Sequence, residues 1–129
     1  MGGEKPRQGF RLPRKRILRG RGAFEAVFER GKIVRGRFVD AFYLPGQAEL
    51  RVGFAVSRRV RGKVKRNRAK RRVREAFRLR QYGFPKLGDA VLLARERALT
   101  AEWSDLLQDV QEIGKRLGSL AEVAGQNDG

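Results

Sequence analysis

The sequence predicts one small α+β domain with a single sheet packed on one face by helices. Three observations carry this. The chain has 129 residues, 40% of them hydrophobic, which suits one core and leaves too little for a second. The spacing of apolar residues changes from helical to alternating and back along the chain. No apolar run approaches the roughly 18 residues of a membrane-spanning helix.

Residues 1–16 are rich in Gly, Pro, Lys and Arg and have little to bury, so they read as a flexible basic tail. Met1 to Arg21 is basic but has no apolar segment of the secretory-signal kind, and the expected compartment is the cytoplasm. Gly22 to Arg30 reads as a short helix: Phe24, Val27 and Phe28 fall at i, i+3, i+4, and Gly31 is a natural stop.

The period then changes to two. From Arg37 to Leu44, Phe38, Asp40 and Phe42 face one way and Val39, Ala41 and Tyr43 the other, with Pro45-Gly46 marking a turn. Leu50 to Ser57 alternates again. Leu50, Val52, Phe54 and Val56 form an apolar face, and Arg51, Gly53, Ala55 and Ser57 a face with so little bulk that another element can lie close against it. Ile33–Val34 offers an additional short strand.

Arg58 to Lys65 is a basic loop containing Gly62, and Arg66 to Arg80 a helix with Ala69, Val73, Ala76 and Phe77 as its apolar stripe. Tyr82 to Gly88 is a loop and Asp89 to Ala94 a short apolar strand. The last helix has Thr100 as its expected N-cap and a buried stripe of Trp103, Leu106, Leu107, Val110, Ile113 and Leu117. Residues 119–129 read as a frayed tail, which leaves 17–118 as the domain. The order is α-β-β-α-β-α, or α-β-β-β-α-β-α with the strand at Ile33–Val34.

The charge is lopsided. Lys and Arg number 31 against 14 Asp and Glu, a formal +17; self-repulsion on that scale in a compact domain calls for a polyanionic partner. Arg58 to Arg80 holds thirteen Lys/Arg and one acid, Glu75, whereas Asp89 to the end holds eight acids and four bases. Arg66, Lys70 and Arg74 recur at i, i+4, i+8, on a face expected to lie opposite Ala69, Val73 and Phe77. Like charges at that spacing cost helix stability, so a solvated face explains them poorly and phosphates explain them well. Arginine predominates, which suits forked contacts to phosphate oxygens. A membrane surface would want bulkier residues opposite the cations. No zinc-finger spacing or basic-zipper heptad directs the chain to DNA.

Cysteine and histidine are both absent, which removes disulfides, Cys-based zinc sites and the commonest acid–base catalyst. Glu4, Glu25, Glu29, Asp40, Glu49 and Glu75 are scattered without metal-cage spacing. No catalytic residue and no metal ligand is assigned.

The run from Gly62 to Phe77, with its Arg66-Asn67-Arg68 core followed by Lys70-Arg71 and Arg74, closely resembles the signature helix of the bacterial ribonuclease P protein component. Arg51-Val52-Gly53-Phe54-Ala55-Val56-Ser57-Arg58-Arg59 resembles the strand leading into it, and Phe24 to Gly31 the family's first helix. The likeness covers about Leu18 to Leu117. It implies the order α-β-β-β-α-β-α, one mixed sheet and a left-handed βαβ crossover, against the usual right-handed rule. It also implies an accessory subunit of an endoribonuclease that removes the 5′ leader of precursor tRNA, with the catalytic centre and its Mg2+ on the RNA subunit. Carried over onto this chain, Arg66, Asn67, Arg68, Lys70, Arg71 and Arg74 face RNA, supported by Arg58 and Arg59. Phe24 and Phe28 line one wall of a leader cleft and Val39 and Ala41 the other. Two phenylalanines at i, i+4 are also what a core needs, and for Phe24 and Phe28 both roles stand. The implied partners are ribonuclease P RNA and precursor tRNA, with no membrane, DNA or cofactor of the protein's own. The competing expectation is a ribosomal or other structural RNA-binding protein, which composition fits equally well.

Overall fold

The computed structural model describes residues 11–128. In chain order it has α1 (Arg21–Arg30), β1 (Lys32–Arg35), β2 (Val39–Glu49), β3 (Arg51–Val56), α2 (Lys63–Arg80), β4 (Leu87–Ala94) and α3 (Trp103–Asp128). Short 3-10 turns stand at Arg14–Arg16, Gln81–Gly83 and Glu96–Leu99. The additional strand at Ile33–Val34 is therefore formed, and the order is α-β-β-β-α-β-α. The sheet runs β1-β2-β4-β3. β2 is antiparallel to β1 and β4, and β3 is parallel to β4, so the sheet is mixed.

Pro45-Gly46 does not end a strand. β2 continues to Glu49, and its register against β4 shifts between Leu44 and Glu49. Proline is tolerated there because the irregularity has already interrupted the ladder to which its missing N–H would contribute. The chain then crosses the start of β4, where the Leu50 N–H donates to the Lys86 carbonyl at 2.8 Å, and enters β3 on the far side.

Both faces of the sheet are covered, not one. Val39, Ala41 and Tyr43 of β2, Val52, Phe54 and Val56 of β3 and Ala90, Leu92 and Ala94 of β4 share the main core with α2 and α3. The helices contribute Ala69, Val73, Ala76 and Phe77, and Leu106, Val110, Ile113 and Leu117. On the opposite face α1 buries Val27 beside Leu18 and Val91, with Phe24, Phe42, Leu44 and Ala55 around them. The unbroken apolar run Ala90-Val91-Leu92-Leu93-Ala94 fits a central strand buried on both sides. The low-bulk face of β3 is where α1 approaches: a Cβ on Gly53 would come within 2.4 Å of the Phe24 ring.

Other boundaries also differ from the sequence reading. Residues 11–16, expected as tail, lie against the domain: Leu12 packs on the main core, and Arg16 pairs with Glu49 at 2.8 Å. Beyond them, Ile17 bridges Val52. Residues 1–10 of that expected tail, and Gly129 at the other end, lie outside the described residues. The expected C-terminal tail is instead helical through Asp128, with Leu120 and Ala121 packed on the core. At the start of α3 the first helical carbonyl is that of Glu102, which accepts from the Leu106 N–H at 3.0 Å. Thr100 belongs to the preceding turn and does not cap the helix.

One buried carboxylate fastens α3 to the sheet. Asp109 is 5% exposed and accepts from the backbone N–H groups of Arg37, Phe38 and Val39 at 2.8, 2.9 and 3.1 Å. Three donors of the β1–β2 turn that would otherwise be orphaned are satisfied by this side chain. Among the described residues no helix is long and apolar enough to cross a membrane.

Candidate nucleic-acid interface

The basic helix α2 starts at Lys63, three residues before the sequence reading places it, with Gly62 as its N-cap at φ +93°. Glycine adopts that conformation without steric penalty, which lets the loop after β3 turn sharply into the helix. The helix is anchored at 3.6-residue spacing by Ala69, Val73, Ala76 and Phe77, all buried.

The cations of α2 divide into two groups. Arg66 donates to the carbonyls of Ser57 at 2.9 Å, Val60 at 3.0 Å and Val56 at 3.3 Å. It therefore holds the loop carrying Arg58 and Arg59 rather than presenting its charge outward, a correction to its expected place facing RNA. The wheel explains this: Arg66 lies three residues before Ala69 and seven before Val73, on the core side of the helix. Arg72 is similarly committed, donating to the carbonyls of Ala98, Leu99 and Ala101 at 2.6, 2.8 and 2.6 Å. Nothing in the sequence reading singled it out.

Asn67, Arg68, Lys70, Arg71 and Arg74 form the second group. All are exposed. Among the described residues none of these side chains makes a hydrogen bond or ion pair within the protein. Arg58 and Arg59 are exposed on the loop that Arg66 holds. The lone acid of the helix, Glu75, pairs with Arg78, and that hydrogen bond holds its carboxyl below the usual carboxylate range.

The face under α1 has a different character. Strand pairing aligns Ile33, Phe42, Val91 and Gly53 in one row and Arg35, Asp40, Leu93 and Ala55 in the next. Phe24 sits over Gly53. Phe28 meets Phe42 edge-on at 4.8 Å and 82°, and keeps 38% of its surface exposed. Phe24 is thus mainly packing, while Phe28, Phe42 and the half-exposed Ile33 line an open apolar wall. Asp40 is buried between Arg95 and Arg35 and ties two cations to the edge of that wall. By register, Arg35, Arg95 and the Arg58–Arg59 loop share one end of the sheet.

Val39 and Ala41 do not belong to this wall. Both are fully buried on the opposite face, in the core under α2 and α3. Side chains alternate along a strand, so a slip of one residue moves the whole set across the sheet. Phe42 and Leu44 are the apolar β2 residues on the α1 side.

Four carboxylates are partnered within the protein: Asp40 by Arg95 and Arg35, Glu49 by Arg16, Asp89 by Arg51, and Asp109 by backbone N–H groups. Among the described residues no group of three or more acids comes together in a metal-holding cluster.

The Ribonuclease P family model matches residues 12–118, which takes in the whole sheet, α1 and α2. The chain belongs to the ribonuclease P protein family. It is 40% identical over 108 residues to the ribonuclease P protein component of Symbiobacterium thermophilum, across 80% of this chain and 91% of that one. It is 39% identical over 112 residues to that of Desulfotalea psychrophila, across 86% and 88%. The solved RNase P protein from Thermotoga maritima superposes with a TM-score of 0.69 at 26% identity, over 78% of this chain and 96% of that one. As a ribonuclease P protein component, this chain is the accessory subunit of a ribonucleoprotein endoribonuclease.

Proposed function

We propose that this subunit binds the catalytic RNA of ribonuclease P through the outward face of α2, using Asn67, Arg68, Lys70, Arg71 and Arg74. It holds the 5′ leader of precursor tRNA on the wall beside α1. Arg58 and Arg59 stand between the two surfaces and reach phosphates of either RNA. Phosphodiester cleavage, and the Mg2+ it needs, belong to the RNA subunit; the protein supplies charge neutralisation and a stacking surface.

The observation that carries this reading is the division of cations on α2. Arg66, Arg72 and Arg78 are engaged by the protein, while a contiguous set of five polar side chains has no partner among the described residues. Charge left unpaired at i, i+3 and i+4 costs the helix stability, and phosphate contacts offset that cost. The wall beside α1 offers what an unpaired leader needs: an exposed aromatic face on Phe28, with cations at its edge.

The leader reading is tested with Phe28→Leu in the reconstituted holoenzyme. Base–aromatic stacking is worth about 1–3 kcal/mol per base, so precursor tRNA should bind the variant about fivefold or more weakly while mature tRNA, which has no leader, binds unchanged. Equal affinity of variant and parent for precursor tRNA returns Phe28 to a packing role.

A further inference from the structure

We infer that a shallow cavity between α2 and the start of α3 is a subsite for one unpaired RNA nucleotide, its base stacked against Trp103 and its phosphates held by Arg68 and Arg71. The inference rests on the reading of α2 as the RNA-facing helix and goes beyond it, because it names the type of nucleotide contacted and the residue that reads it.

The cavity has a volume of about 540 Å³. Val64, Asn67, Arg68, Arg71 and Glu75 contribute its helical side at i, i+3, i+4, i+7 and i+11, and Trp103 faces them from α3. Two apolar groups are exposed here against expectation: Val64 at 79% and Trp103 at 37%. A tryptophan at the first position of a helix could bury itself by turning inward. Here it is held at the surface, with the Arg72 guanidinium 5.9 Å from its ring centre. Arg72 is in turn fixed by three backbone carbonyls, so the ring's support is rigid.

The chemistry of the rim selects the occupant. Arg68 and Arg71 are exposed and without a protein partner among the described residues, and the charge of Glu75 is answered by Arg78. An aromatic surface flanked by free guanidinium groups is the combination that binds single-stranded nucleic acid: a π-face for the base and forks for the phosphates. The Asn67 amide adds a donor and an acceptor for a base edge. A duplex cannot use the site, since its bases are already stacked on one another. An apolar peptide would leave the cations of the rim uncompensated.

The chain contains a single tryptophan, so intrinsic tryptophan emission reports on this site alone. The full-length protein is titrated at low salt with a five-nucleotide oligoadenylate and, separately, with an RNA duplex of matched phosphate count, binding being followed by anisotropy of a label on each RNA. The subsite predicts that both bind but only the single strand quenches Trp103, and that Arg68→Ala with Arg71→Ala removes the quenching. Binding of both RNAs with Trp103 emission unchanged overturns the subsite and leaves the RNA-facing role of α2 standing. Absence of binding to either overturns both. For ribonuclease P RNA, Trp103→Phe should hold affinity within about twofold, while Trp103→Leu should weaken it about fivefold or more. Equal affinities of the two variants, each shown by thermal unfolding to be folded, would also overturn the subsite.

Discussion

Arg66 and Lys70 stand one helical turn apart on α2, and removing each has a different consequence. Truncating Arg66 leaves the carbonyls of Val56, Ser57 and Val60 without its guanidinium. A hydrogen bond to a charged group contributes about 1.5–3 kcal/mol net. Arg66 is only part-buried, so water takes up some of the freed carbonyls and Arg66→Ala should lower unfolding free energy by about 2 kcal/mol. Lys70→Ala with Arg74→Ala removes only repulsion and should change stability by less than about 0.5 kcal/mol. Urea denaturation of the two variants separates them, and equal midpoints would contradict the division of α2 into structural and unpartnered cations. Gly53 tests the other face. A methyl there meets the Phe24 ring at 2.4 Å, and Gly53→Ala should cost about 1–3 kcal/mol through overpacking. A neutral result in the same assay would mean that α1 can shift away from the sheet.

At the scale of elements, the apolar stripes were legible because their periods are plain. Ala69, Val73, Ala76 and Phe77 on α2, and Leu106, Val110, Ile113 and Leu117 on α3, are buried as their spacing required. The face of β2 was not legible. Val39-Ala41-Tyr43 and Phe42-Leu44 are both apolar sets, and which one meets α1 depends on how distant helices dock. The role of Arg66 was within reach, since its spacing from Ala69 and Val73 placed it on the core side; reading it only against Lys70 and Arg74 hid this. The anchoring of α3 was not within reach, because Asp109 acts on residues 70 to 72 positions away in the chain. Its removal should show how much that anchor contributes. Asp109→Ala strands three N–H groups, and the loss should be about 3 kcal/mol or more. Asp109→Asn keeps one acceptor oxygen and should lose less. If both variants unfold at the parent's midpoint, the β1–β2 turn does not depend on α3.

At the scale of the whole molecule, the chain carries a formal +17, and the fold engages some of its cations internally while gathering a dense set of unpartnered ones, among the described residues, on α2. Each phosphate contact adds about −0.7 to the log–log salt slope on a single strand and about −0.9 on a duplex. Replacing Arg68, Lys70, Arg71 and Arg74 together by alanine should therefore make the slope for ribonuclease P RNA shallower by about 3. The same variant gives the most direct test of the account, which is cleavage of precursor tRNA by ribonuclease P RNA at Mg2+ too low for the RNA to act alone. Parent protein should restore cleavage, the four-alanine variant should fail to restore it while remaining folded, and protein without RNA should cleave nothing. Restoration by the variant equal to the parent's, or cleavage by the protein alone, would contradict it.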